Sequence, residues 1–335
     1  MTGQTNVAIA CQGGGSHTAF TAGVLEHLFD HWDDSHELVG ISGTSGGAFN
    51  ALAVWYGLVT GDEQRAAEIV TDLWDDLAAT GPVDQLANDW LQTLQRLQNS
   101  GAPLPQFSPY QIPGPELGKE RIREVLEAHI DFESIPEYCQ VDRPDLVVGT
   151  VNINAGVFET FTNEAVTVDA ILASAAVPSL FEAVEIDGHL HWDGLFSQNP
   201  PVKDLMDQPS SRKPDELWVI QINPQELEGE PTSLEAIADR RNELSGNISL
   251  NQELGFIETV NEWVETGKLP AEEFSTTEIR RIKMDGQYSY STKLDRSPAF
   301  IDELLDFGRE QAAVFLDERE QGTSAAEEQG SSHSA

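Results

Sequence analysis

One stretch constrains this chain more than any other. Leu38-Val39-Gly40-Ile41-Ser42 is a short apolar run, Gly43-Thr44-Ser45-Gly46-Gly47 is a glycine-rich turn, and Ala48 to Val59 is rich in helix formers. The order is strand, tight turn, helix, and the turn fits G-x-S-x-G. Such a turn forces its central serine into a strained backbone conformation and lifts the hydroxyl clear of the sheet. The following helix aims its first amides into the same space. Ser45 is therefore the candidate nucleophile of a reaction that builds an oxyanion.

The same pattern occurs once before. Val7 to Cys11 reads as a buried strand, Gln12-Gly13-Gly14-Gly15-Ser16-His17 as a loop, and Thr18 to His31 as a helix with Phe20, Val24, Leu25 and Leu28 on one face. Two strand-turn-helix units in succession predict a mainly parallel sheet covered by helices, a three-layer α/β/α sandwich. Ligands of such sheets sit beyond the carboxyl ends of the strands, where both glycine-rich turns fall.

With 335 residues and 39% hydrophobic content, the chain can bury one large core. Residues 5–320 are expected to form one domain, with a polar, disordered tail over 321–335. Residues 81–118 carry Pro82, Pro103, Pro105, Pro109, Pro113 and Pro115 among apolar residues, interrupted by a helix over 83–98. They read as a packed surface loop or as a lid over the site. Further along, strands are expected over 145–154, 157–162, 182–186, 189–193, 216–222 and 278–284. Helices are expected over 63–79, 119–130, 167–176, 233–244, 251–265 and 298–318.

Charge and cysteine content restrict partners. Against 57 acidic side chains stand 19 basic ones, a net charge of -38. A surface this acidic repels itself unless salt screens it, which points to a salt-rich cytoplasm. Nothing forms a basic stripe, so nucleic acid is excluded as a partner, as is charge-driven binding to an anionic membrane. Cys11 and Cys139 are too few for a secreted disulfide framework. Ala8-Ile9-Ala10-Cys11 looks like a lipobox but lacks the preceding apolar segment. The expectation is a cytoplasmic protein.

A serine nucleophile needs a base. In the usual G-x-S-x-G order an acid and then a histidine follow the serine, but the only late histidine is His333, in the polar tail. The best candidate is Asp193 in Leu190-His191-Trp192-Asp193-Gly194, which ends a hairpin strand beside a large aromatic. Partial burial would raise its pKa towards neutral and make it a useful base. A turn-capping aspartate is the alternative. His189, His191 and Asp193 alternate along that strand and could offer two imidazoles and a carboxylate to a metal ion, but no metal or other cofactor is expected. The triple glycine lacks the spacing of a nucleotide-phosphate loop.

Four separated pieces resemble the patatin-like phospholipase family, in the family's order. They are Gly13-Gly14-Gly15, Gly43-Thr44-Ser45-Gly46-Gly47, Ala173-Ser174-Ala175-Ala176-Val177-Pro178 with Phe181, and Trp192-Asp193-Gly194 followed by Asn199-Pro200-Pro201. Together they span roughly residues 5–205. Residues 282–315 are more weakly similar to the C-terminal part of some bacterial and archaeal members, and the acidity points to a salt-adapted archaeal type. The resemblance implies a Ser45–Asp193 dyad without histidine, backbone amides of Gly13, Gly14 and Gly15 as the oxyanion hole, and hydrolysis of lipid acyl esters through an acyl-enzyme. The family usually has a basic residue and then glycine where this chain has His17 and Thr18, and often Gly or Ala where it has Leu195. The first departure bears on which amides of the loop point inwards. Two further readings share the fold: a polyhydroxyalkanoate depolymerase, and a protein that has lost turnover and binds a lipid or granule surface. Oligomeric state is not legible.

Overall fold

A computed structural model of the chain describes all residues except 1–3, 83, 87, 90–91, 94–107, 112–113, 141, 208–211, 287 and 333–335. Of the helix expected over 83–98, residues 84–86, 88–89 and 92–93 are described and are helical, while residues 94–107 of the expected lid lie outside the described residues.

Eight strands form one sheet: β1 (Thr5–Cys11), β2 (His36–Thr44), β3 (Asp145–Asn152), β4 (Val157–Thr162), β5 (Val184–Ile186), β6 (His189–Asp193), β7 (Glu216–Gln221) and β8 (Glu278–Lys283). Their order is β5-β6-β3-β2-β1-β7-β8, with β4 along the other side of β3. β2, β1, β7 and β8 run parallel to their neighbours, as does β3 to β2, while the pairings of β4, β5 and β6 are antiparallel. The architecture is thus a mixed, mostly parallel sheet between helices.

The central strands are apolar on both faces because both faces are covered. Along β1, Val7, Ile9 and Cys11 enter the larger core and Ala8 and Ala10 the smaller one. In β7, Trp218 and Ile220 join the first, Leu217 and Val219 the second. This is the two-residue alternation of a strand seen from both sides. Over the larger core lie α1 (Ala19–Asp30), α2 (Gly46–Thr60), α3 (Glu63–Leu77), α4 (Gly114–His129) and α5 (Val168–Ser174). The other face is covered by Leu250, Leu254 and Ile257 of α6 (Leu234–Glu265). α7 (Pro298–Ser332) returns to the first face and packs along α1.

Two boundaries differ from expectation. Residues 233–265 read as two helices because Ser245, Gly246 and Asn247 interrupt the apolar pattern, yet α6 is continuous. Gly246 packs closely there: a Cβ would sit 2.6 Å from Asn223 Nδ2. At the other end, α7 continues through the expected polar tail to Ser332. Alanine, glutamate and glutamine are good helix formers, and a helix already begun extends through them cheaply.

Candidate active site

Register brings the two candidate residues together. Thr44, the last residue of β2, pairs with Gly149 of β3, and the next residue of β3, Thr150, pairs with Asp193. β2 and β6 therefore meet end to end along one edge of β3. The chain leaves that lane at the same point twice, at Ser45 after β2 and at the Asp193 end of β6.

Ser45 has φ 56° and ψ -131°, a left-handed φ that a residue with a side chain adopts at a cost. The neighbourhood holds it there. Its amide donates to Ser174 Oγ at 2.9 Å, and that hydroxyl donates to the Gly149 carbonyl at 2.7 Å. Its carbonyl accepts the amides of Ala48 and Phe49, opening α2. Gly47 lets the turn close, since a Cβ there would meet the Cys11 carbonyl at 2.3 Å.

Asp193 is fixed by the same segment, its amide donating to the Ala176 carbonyl at 3.1 Å. The Ala173–Pro178 piece thus braces both backbones: Ser174 holds Ser45, and Ala176 holds Asp193. Asp193 Oδ1 accepts the Leu195 amide at 2.8 Å. Oδ2 is buried and accepts no hydrogen bond. Burial raises the carboxyl's pKa to about 7, against the opposing pull of the Leu195 amide, the Ser45 hydroxyl and Lys293. The Ser45 hydroxyl is thus close enough to stabilise the anion but does not complete a hydrogen bond to Oδ2, a looseness common before substrate tightens a site.

The three expected oxyanion donors separate. Gly13's amide donates to Asn199 Oδ1 at 2.6 Å, so it is committed within the protein. Among the described hydrogen bonds, the amides of Gly14 and Gly15 donate to no protein acceptor. Gly46, first residue of α2, is another amide that a helix start leaves without an intrahelical acceptor. The Asn199-Pro200-Pro201 loop thus holds Gly13.

His17 and Thr18 each have a partner of their own. His17 is buried, its Nε2 lies 2.7 Å from Thr292 Oγ1, and burial together with Lys293 holds its pKa well below the usual histidine value. A neutral ring tied there supplies no cation to the loop. The Thr18 hydroxyl donates to the Gly15 carbonyl at 2.6 Å, fixing the loop from inside. His191 lies 3.0 Å from Glu159 through Nε2 and 3.1 Å from the His189 carbonyl through Nδ1. His189 is exposed while His191 and Asp193 are buried, and no described group of three His, Cys, Asp or Glu is placed to hold a metal ion.

Sequence reasoning passed over Gln12. Fully buried, it accepts the Ile222 and Asn223 amides at 2.8 Å each and donates to Asn247 Oδ1 at 2.9 Å. It joins the start of the glycine loop to the end of β7 and to α6. A polar residue closing an apolar strand was the available signal.

Comparison with known proteins comes from three directions. A family model described as patatin-like phospholipase matches residues 9–206. Comparison with curated proteins finds no match. Among solved structures, VipD from Legionella pneumophila is similar at 13% identity and a TM-score of 0.45, over 94% of this chain and 67% of that one. The type III effector protein ExoU is similar at 14% identity and a TM-score of 0.39. This chain spans 54% of ExoU's length, with 95% of its own length covered.

Proposed function

The chain belongs to the patatin-like phospholipase family, a family of lipid hydrolases, and from that premise we propose that it cleaves carboxylic esters of lipids with Ser45 as nucleophile and Asp193 as base. The observation that carries this reading is the register that delivers a buried carboxyl, with a pKa of about 7, to a serine held at φ 56°. In water an aspartate is a poor base near neutrality. A buried one gains by becoming neutral, so removing the serine proton relieves an unfavourable charge.

Asp193 takes the Ser45 proton as Oγ attacks the acyl carbon. The oxyanion of the tetrahedral intermediate is met by the amides of Gly14 and Gly15 and by the N-terminal end of α2. Collapse expels the alcohol, which receives the proton from Asp193, and leaves an acyl-enzyme. Water then attacks the acyl group, giving one proton to Asp193. The intermediate releases Ser45, which recovers that proton, and the free acid departs.

Charge and surface favour a neutral, apolar ester phase. The net charge of -38 opposes approach to anionic lipid unless salt screens it. On α6, Leu234, Ile237, Leu244, Ile248 and Phe256 are exposed and lie on one side by helical spacing. Between Ile237 and Phe256 that side carries Arg241 and no carboxylate. In so acidic a chain, an apolar stripe free of carboxylates fits an electrically neutral surface. Storage polyester in a salt-rich cytoplasm is therefore the second reading, with the same dyad.

The test compares acid release from a soluble short-chain ester, neutral phospholipid vesicles and polyhydroxybutyrate granules in concentrated salt. Wild type, Ser45→Ala and Asp193→Asn are assayed side by side. Turnover of at least one substrate by wild type, and loss of it in both variants, is expected. Wild-type rates in both variants would remove the dyad. Folded wild type inert on all three would leave a surface-binding protein.

A further inference from the structure

Behind the glycine loop lies a half-buried cation that the mechanism above does not use. Lys293 belongs to a short 3-10 turn (Tyr290–Leu294), and its ammonium donates to Asn223 Oδ1 at 2.7 Å. Asn223 follows β7 and gives its amide to Gln12 Oε1, the residue that opens the glycine loop. The Lys293 backbone is also pressed against the loop: a Cβ on Gly15, which sits at φ +61°, would meet the Lys293 carbonyl at 2.3 Å. His17, Ile222, Asn223, Asp239, Glu243 and Lys293 line one narrow cleft on this side of the loop.

We propose that Lys293 is a positioning residue for ester hydrolysis, whose cation, held on Asn223, ties the oxyanion loop to the end of β7. The role rests on the Ser45–Asp193 reading. Two features set it apart from a structural lysine. Contact with the loop is double, through the ammonium by way of Asn223 and Gln12 and through the backbone at Gly15. Its charge also acts on both titratable neighbours of the loop, lowering the pKa of Asp193 and that of His17.

The groups facing Lys293 come from every side. Asp239 and Glu243 lie on α6, Asp193 at the end of β6, and His17 on the loop itself. Burial lowers the lysine's pKa to about 8, while the three carboxylates pull it up. Below that value the cation is present, and as pH rises through it the cation is lost. Asp193 works in the other direction, becoming a base as pH rises through about 7. The two limbs enclose a narrow window in which base and cation are both in their working forms.

The profile of kcat/KM against pH on a soluble p-nitrophenyl ester separates the possibilities. Lys293→Met should lower kcat by about 10–100-fold with KM nearly unchanged, and move the acid limb upwards by roughly half a pH unit or more. Lys293→Arg should keep the acid limb and lose the alkaline one, because guanidinium does not titrate there. A folded Lys293→Met with the wild-type kcat and acid limb overturns the role, whatever its Tm. Should that variant fail to fold, Lys293→Arg against wild type decides, and coincident alkaline limbs overturn it. Ser45→Ala in the same assay keeps the two readings apart. Wild-type turnover in Ser45→Ala, or none in wild type, sinks the hydrolase reading and the lysine's role with it. A dead Ser45→Ala beside Lys293 variants of wild-type profile sinks the lysine's role alone.

Discussion

Residues 9–206, which the family model covers, and residues 207–335, which it does not, meet at the same end of one sheet. The first region holds both reacting side chains and the segment that braces them. The second supplies β7, Asn223, Asn247 and Lys293, which hold the glycine loop from behind. Reacting atoms are announced by short local motifs, because strand, turn and helix must follow one another within a few residues. Support comes from far along the chain and has no motif, since any side chain of suitable reach can provide it.

The sharpest way to break this contrast is to remove the nucleophile. Ser45→Ala should cost about 10⁴-fold or more in kcat, as such removals do in other serine hydrolases, with an unchanged unfolding midpoint in denaturant. Asp193→Asn should cost about 10³–10⁴-fold and also stabilise the fold at high pH. The folded-state pKa of Asp193 is raised above its unfolded value, so its contribution to stability declines as pH rises from near 4 to about 7. Denaturant midpoints of variant and wild type should therefore diverge between pH 5 and pH 8, with the variant higher at pH 8. Equal differences at both values would mean that Asp193 is not buried as described.

Ser174→Ala should fall next. It leaves the Ser45 amide and the Gly149 carbonyl without their buried partner, a stability loss of about 1–3 kcal/mol. A displaced Ser45 should lower kcat by about 10–100-fold. Ile248→Glu puts a carboxylate into the exposed stripe of α6. It should reduce turnover on neutral vesicles or polyester granules several-fold and leave the soluble ester untouched. Arg319→Ala should leave kcat alone and lower stability by about 2–3 kcal/mol. It removes one of two guanidinium partners of Glu216, a buried carboxylate that Arg319 contacts at 3.0 and 3.1 Å, that Arg280 Nε still contacts at 3.2 Å and that also accepts Trp218 Nε1 at 2.7 Å. A large loss of kcat in Arg319→Ala would mean that the second region does more than support.

Much of this was legible in the sequence, and the exceptions share a cause. The Ser45 turn, the strands and the β5–β6 hairpin all follow from neighbours in sequence. Asp193 emerged because no histidine stood where one was needed. Ser174, Asn199, Gln12 and Lys293 were not assigned their contacts because those partners are set by topology: Gly13 meets Asn199 across 186 residues, and Lys293 meets Asn223 across 70. The break expected in α6 shows the limit from the other side. Gly246 looked like a helix stop, but its missing Cβ makes room for Asn223 rather than ending the helix.

Covalent labelling by a fluorophosphonate, read by intact mass and peptide mapping in concentrated salt, addresses the dyad most directly. The mechanism predicts one adduct, on the peptide containing Ser45, forming with a pH midpoint near 7, slowed at least about 10³-fold in Asp193→Asn and absent in Ser45→Ala. An adduct that survives in Ser45→Ala, or that forms in Asp193→Asn at the wild-type rate, would contradict it.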